Sequence, residues 1–154
     1  MFLYLVQHGE AKREEEDPAR DLTPRGREDV IRVADFVEKL NLSPGRFLHS
    51  GKTRAMRTAE ILAEALKPRG GIGPTNGLAP LDDPEIWAGR VSGLSEDLVL
   101  VGHLPHLARL AAALLCGDRE KSLVNFKMGG VVCLRRDDAG RWGVEWMIIP
   151  EMLP

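Results

Sequence analysis

Residues 98–105 read Leu98-Val99-Leu100-Val101-Gly102-His103-Leu104-Pro105. The first five form the clearest strand signal in the chain, an apolar run that changes abruptly to histidine and then proline. An apolar helix follows from Pro105 to Leu115 and stops at Gly117. The same strand-then-polar grammar recurs on either side. Phe2 to Val6 is a short apolar run suited to a strand buried on both faces, and it turns polar at Gln7-His8. Arg46-Phe47-Leu48-His49 is a second short strand. Between these lie helical patterns. Thr23-Pro24 supplies a cap and a first helical residue, and Val30, Val33, Ala34, Val37 and Leu40 then mark one inward face, with Asn41 to Gly45 as the stop. Thr53 to Leu66 carries Ala55, Thr58, Ala59, Leu62, Ala63 and Leu66 on one face, and Pro68 ends it. Residues 68–84, rich in glycine and proline, read as a long irregular connection of the kind that lines a site. Val131 to Leu134 and Val144 to Ile149 read as two strands around a turn at Asp137-Asp138-Ala139-Gly140. Strands alternating with helices predict an α/β three-layer sandwich with a largely parallel sheet, closed by an antiparallel hairpin. No repeat or boundary interrupts the chain, so residues 1–154 are expected to be a single domain.

Composition narrows the function. Twenty-one Lys+Arg against 23 Asp+Glu give a formal charge of -2, with 44% hydrophobic residues. This balance offers no electrostatic footprint for nucleic acid, and leaves room only for a local anion site. No apolar run approaches the roughly 20 residues of a membrane span. The first residues lack the basic start and the apolar length of a secretory signal, so a cytoplasmic location is expected. The two cysteines, Cys116 and Cys133, have no metal-ligand spacing and are expected to be buried thiols. Glu14-Glu15-Glu16-Asp17 reads as a solvated loop face.

Chemistry collects at the strand ends, where α/β sheets bind their ligands. The first strand ends Gln7-His8-Gly9-Glu10, the second His49-Ser50-Gly51 before Thr53-Arg54, and the third Gly102-His103-Leu104-Pro105. If these strands lie side by side and parallel, His8, Arg54 and His103 converge on one rim. An imidazole can act as a nucleophile on phosphorus. A guanidinium matches phosphoryl oxygens bidentately and offsets their charge. Gly9 and Gly102 allow backbone to approach an anion. The competing reading is a zinc site among His8, His49, His103 and His106, but no His-Glu-x-x-His pair is present and Pro105 separates His103 from His106. His49 is expected to pack against the rim, and His106 to be exposed at a helix start. No nucleotide-type phosphate loop occurs, and no cofactor is implied.

Together these segments resemble the histidine phosphatase superfamily, and most closely its small SixA-like phosphohistidine phosphatase branch. Leu5 to Glu10 resembles the family's first-strand Arg-His-Gly motif, which implies that His8 is the nucleophile. Leu22-Thr23-Pro24-Arg25-Gly26 resembles its Leu-Thr-x-x-Gly helix start, and Arg20 stands where that branch carries a phosphate-pocket arginine. Ser50 to Ala59 is similar to its Ser-x-x-x-Arg-Ala-x-x-Thr-Ala stretch, and Val101 to Pro105 to its second histidine motif. The resemblance implies a phosphoglycerate mutase-like fold. It also implies a metal-independent hydrolase with His8 and His103 catalytic, and Gln7, Arg20 and Arg54 binding the phosphoryl group.

Gln7 departs from the motif, which has arginine there, so one cation is missing beside a phosphate of about -1.5 to -2. Arg20, Arg25 and Arg57 are the candidates to compensate. A proton donor is not evident; Glu10, Asp82, Asp83 and Glu85 are the nearby acids, and Asp83-Pro84-Glu85 also reads as a capped helix start. An imidazole leaving group needs little help, which points to phosphohistidine on a protein, or a small phosphorylated substrate, as the partner. The alternatives are a phosphate-binding module without turnover, and a phosphomutase, for which the chain has neither the lid nor the acid.

Overall fold

The reason strands β1 (Phe2–Gln7) and β4 (Leu98–Gly102) are apolar at nearly every position is that both their faces are covered. In this computed structural model, which describes residues 1–154, Tyr4, Val6, Val99 and Val101 point to one side. There they meet helices α1 (Pro24–Glu38) and α2 (Thr53–Leu66) through Val30, Val33, Val37, Ala55, Ala59 and Leu62. Leu3, Leu5, Leu98 and Leu100 point to the other side. They pack on α3 (Pro84–Ser92) and α4 (His106–Cys116) through Trp87, Val91, Leu107 and Leu110. Each face thus removes its own set of side chains from water, at roughly 25 cal/mol per Å² of apolar area.

The sheet has six strands in the order β3-β2-β4-β1-β5-β6, with β2 (Arg46–His49), β3 (Ile72–Pro74), β5 (Val131–Arg136) and β6 (Trp142–Ile148). β3, β2, β4 and β1 run parallel, and β5 and β6 form the antiparallel closing hairpin. This is the expected α/β architecture. The short edge strand β3 falls within the stretch read from sequence as irregular: three residues, Ile-Gly-Pro, carry no periodicity of their own. A 3-10 turn at Pro150–Met152 ends the ordered elements. No helix is long and apolar enough to cross a membrane.

Two expectations need correction. Helix α1 stops at Glu38, Asn41 adopts φ 54°, and Leu40 is exposed rather than part of the inward face. Cys133 is buried, but Cys116 is exposed at the last turn of α4, just before Gly117 takes φ 74°.

Caps follow the sequence closely. Thr23 accepts from Gly26 N at 2.9 Å, and Pro24 opens α1. Asp83 accepts from Glu85 N at 3.0 Å and Pro84 opens α3. Gly26 is also a contact point: a Cβ there would overlap the Glu10 carbonyl and lie 2.7 Å from the Glu10 nitrogen. Backbone cannot give way cheaply. Gly26→Ala is therefore expected to lower unfolding free energy by about 2 kcal/mol. Gly89→Ala, in the open interior of α3 with nothing near its virtual Cβ, should raise it by about 0.5–1 kcal/mol. Urea denaturation of the two variants checks the opposite signs.

Candidate active site

The first histidine is positioned by backbone. β1 pairs with β4 in a register that sets Gln7 opposite Gly102, and the next amide, His8 N, donates to Gly102 O at 3.1 Å. Gly9 N donates to Thr58 Oγ1 at 2.9 Å, and that hydroxyl donates to Arg54 O at 2.8 Å. A residue larger than glycine could not sit at position 9, where a Cβ would be 2.8 Å from Val30 Cγ2 and 3.0 Å from Gly26 O. The His8 ring then hydrogen-bonds its own neighbour, Nδ1 to Gly9 O at 2.7 Å. A carbonyl only accepts, so Nδ1 carries the proton. In a neutral ring, Nε2 is left with a free lone pair.

His103 closes the other side. It follows β4, it is 1% exposed, and its ring centroid lies 5.0 Å from that of His8 with the planes at 49°. Its Nε2 is 2.6 Å from Ser50 Oγ, at the end of β2. The Leu104–Pro105 peptide that follows is cis. Arg54 enters from the first turn of α2. Arg20 enters from the 12–21 loop, which Asp17 ties together by accepting from Ala19 N and Asp21 N. Arg20 itself takes φ 51° and donates Nε to Lys12 O at 3.0 Å.

Electrostatics keep both rings neutral. Burial is the main cause lowering the His8 pKa to about 4; the Gly9 carbonyl opposes it, while Arg54 and Arg20 add to it. Burial also lowers His103 to about 3, with His8, Arg54, Lys52 and His106 adding to the effect. Arg54 is shifted down by burial and then by Arg20, so the cations are held against one another. Three side chains of this rim bury polar atoms without a partner: Gln7 Oε1, Arg54 Nε and His103 Nδ1. Each such atom costs about 1–3 kcal/mol, an arrangement that an anionic ligand relieves at the guanidinium. At Gln7 an amide flip exchanges Oε1 for the NH2 donor.

The structure thus brings together Gln7, His8, Arg20, Arg54 and His103. Other candidates stay apart. Arg25 is exposed on α1, and Arg57 is paired with Asp21 and Glu60. Asp83 is spent as cap and partner of Arg119 at 2.8 Å, and Glu85 is exposed in the first turn of α3. Glu10 accepts from the Thr23 hydroxyl at 2.9 Å, bracing the β1–α1 loop. Asp82 accepts from Ala79 N at 2.9 Å. His49 is buried and its Nδ1 accepts from Gly51 N. His106, expected to be exposed, is fully buried with both ring nitrogens unpartnered, at the start of a helix that packs on α3. No group of three or more His, Cys, Asp or Glu side chains comes together in a way that could hold a metal ion. Two further contributors, Ser50 and Thr58, act through hydroxyls. Both fall on the Ser and Thr positions of the Ser-x-x-x-Arg-Ala-x-x-Thr-Ala stretch, although neither was singled out as a site residue.

The lowered histidines set the pH behaviour. A folded pKa below the unfolded value near 6.5 means that the stability is fully present above pH 6.5 and lost as pH falls toward 4. Ring titration by NMR in the ligand-free protein should therefore show His8 neutral at pH 5.5, with a midpoint near 4. A midpoint at 6 or above would contradict the buried geometry. Unfolding free energy should decline across the same window.

Comparisons with known proteins bear on the family and the fold. Residues 3–94 match the family model for the histidine phosphatase superfamily, branch 1. An uncharacterised protein of Picosynechococcus sp. (strain ATCC 27264 / PCC 7002) is 36% identical over 149 residues, covering 88% of this chain and 85% of its own. Among solved structures, the protein histidine phosphatase SixA complexed with tungstate superposes with a TM-score of 0.86 over 99% of both chains, at 22% identity. The mycobacterial glucosyl-3-phosphoglycerate phosphatase, complexed with VO3, gives 0.71 over 94% of this chain and 97% of its own, at 17% identity. At these identities the two likenesses speak to the fold. With the sequence match spanning β1 to α3, the chain belongs to the histidine phosphatase superfamily.

Proposed function

We propose that the protein is a metal-independent phosphatase that removes a phosphoryl group from phosphohistidine on a protein, through a covalent intermediate at His8. One observation carries the reading: His8 is held neutral, with Nδ1–H bound to Gly9 O and Nε2 free, on a rim shared with His103, Arg54 and Arg20. Nε2 attacks phosphorus; the N–P bond forms as the bond to the leaving group breaks, and a phosphoimidazole already protonated on its remote nitrogen releases neutral imidazole, which keeps the electron pair of the broken bond. Water then attacks the phosphoryl-imidazole, returning His8 and releasing phosphate. Arg54, Arg20 and the His103 ring meet the equatorial oxygens, and Gln7 contributes a neutral donor. Their aim at a fixed point in a buried site is what stabilises the charge that develops there.

The choice of phosphohistidine rests on the leaving group and on access. No acid stands free beside His8, since Glu10 is bound to Thr23, and an imidazole departs with little protonation assistance. The stretch joining β3 to β4 holds one nine-residue helix and no larger cover over the rim, so the site is open enough for a side chain displayed on a partner. Free thiols at Cys116 and Cys133 suit a reducing cytoplasm. Gln7 favours a second reading, a phosphate-binding module whose turnover has decayed.

Incubation with phosphoramidate followed by a basic quench should show one phosphoryl group on His8 by peptide mass. His8→Ala should lose both the label and turnover. An unlabelled protein that nevertheless binds phosphate by calorimetry would select the module instead. Gln7→Arg adds a charge-assisted hydrogen bond in place of a neutral one, so kcat/KM should rise by about tenfold; an unchanged value would mean that Arg20 and Arg54 already suffice.

A further inference from the structure

Beside the phosphoryl rim lies a second cleft, of about 410 Å³, lined by Ser50, Thr75, Asn76, Ala79, Asp82 and Ile86. Ser50 belongs to both places: its hydroxyl is 2.6 Å from His103 Nε2, and the same side chain opens the cleft. A group attached to a phosphorus held at His8 and His103 therefore has this cleft as its neighbouring space. Its size suits a ring with part of a chain.

The charges of the two places are opposite. The phosphoryl side holds Arg20 and Arg54, with Lys52 close enough to bear on His103. In the cleft the one charged side chain is Asp82. Nearby cations are engaged elsewhere: Arg90 donates to Asn76 O and lies 4.9 Å over the Trp87 ring, and Arg119 pairs with Asp83. Asp82 is held in place by Ala79 N on Oδ2, so Oδ1 remains to accept from a ligand. It bears electrostatically on the buried His106, as does Asp83, and His106 in turn bears on His103.

We infer that this cleft is the leaving-group subsite and that Asp82 selects a nitrogen base, a leaving group that carries an N–H donor or a positive charge, over one bearing a carboxylate or second phosphate. The inference rests on the phosphatase reading and deepens it. For an imidazole leaving group, the ring nitrogen remote from phosphorus carries its proton toward Asp82 Oδ1. The P–N bond breaks, its pair stays on the departing nitrogen, and the ring leaves as neutral imidazole with that N–H in place. Asp82 holds the donor and gives up no proton.

Asp82→Asn tests this while keeping an oxygen for Ala79 N. With phosphoimidazole, kcat/KM should fall by about tenfold or more, because the amide oxygen stays on Ala79 N and the NH2 that replaces Oδ1 cannot accept the ring N–H. With p-nitrophenyl phosphate it should stay within about twofold. With 3-phosphoglycerate it should rise, because a like charge has been removed. Product inhibition gives a second measure: imidazole should inhibit the variant more weakly, while inorganic phosphate inhibits both proteins alike. An equal fall for all three substrates, or no change for phosphoimidazole, overturns the assignment. Labelling of His8 by phosphoramidate separates the two claims, since its absence defeats the phosphatase reading and its persistence leaves the subsite judged on Asp82 alone.

Discussion

The pairing of β1 with β4 is the constraint on which the site depends. Parallel register sets Gln7 against Gly102, and the His8 amide continues the ladder onto the Gly102 carbonyl. A slip of one residue would turn Tyr4 and Val6 to the face now filled by Leu3 and Leu5, so the two apolar layers hold the register firmly. With the strands so locked, the residues that follow them, His8 and His103, emerge at one height with rings 5.0 Å apart. The geometry of the candidate site thus rests on apolar packing along the strands behind it.

Around that pair the loops are tied by small residues and hydroxyls. Thr58 reaches from α2 to the Gly9 amide, Thr23 joins the α1 cap to Glu10, and Gly26 lets the start of α1 approach the Glu10 backbone. The two hydroxyl bonds give partners to polar groups of these loops, and the Gly26 approach is a matter of space alone. What remains unpaired is concentrated at the rim, on Gln7, Arg54 and His103, and beside it on His106. Protein elsewhere has been spent on satisfying itself; here the donor Arg54 Nε has no internal partner.

Much of this was legible in the chain. Apolar runs ending in histidine read correctly as strand ends because burial on both faces erases the alternation that would otherwise disguise them. Thr23-Pro24 and Asp83-Pro84 announced helix starts through chemistry local to the cap. What failed to show was decided by partners distant in sequence. Ile72–Pro74 is a strand only because β2 lies beside it. His106 is buried at the start of a helix that packs on α3, and Cys116 is exposed at the end of the same helix. Ser50 gains its place from a histidine 53 residues away. Local rules cannot see such neighbours.

The neutral Gln7 changes the energetics of the unliganded rim as well as the bound one. Arg20 already disfavours the charged form of Arg54, and both cations disfavour protonation of His8. A third guanidinium beside His8 would deepen that repulsion in a partly desolvated place, where charges interact more strongly than in water. Glutamine relieves the free protein of that cost and gives up part of the attraction for a dianion. Two guanidiniums nearly balance a phosphate of about -1.5 to -2, and Lys52, which also bears on His103, adds positive charge beside the rim. In an arginine-bearing rim the surplus positive charge would have to be met by the remainder of the substrate. On the leaving-group reading proposed above, the remainder of the substrate meets the Asp82 carboxylate, where an N–H donor or a positive charge is favoured over a second anion.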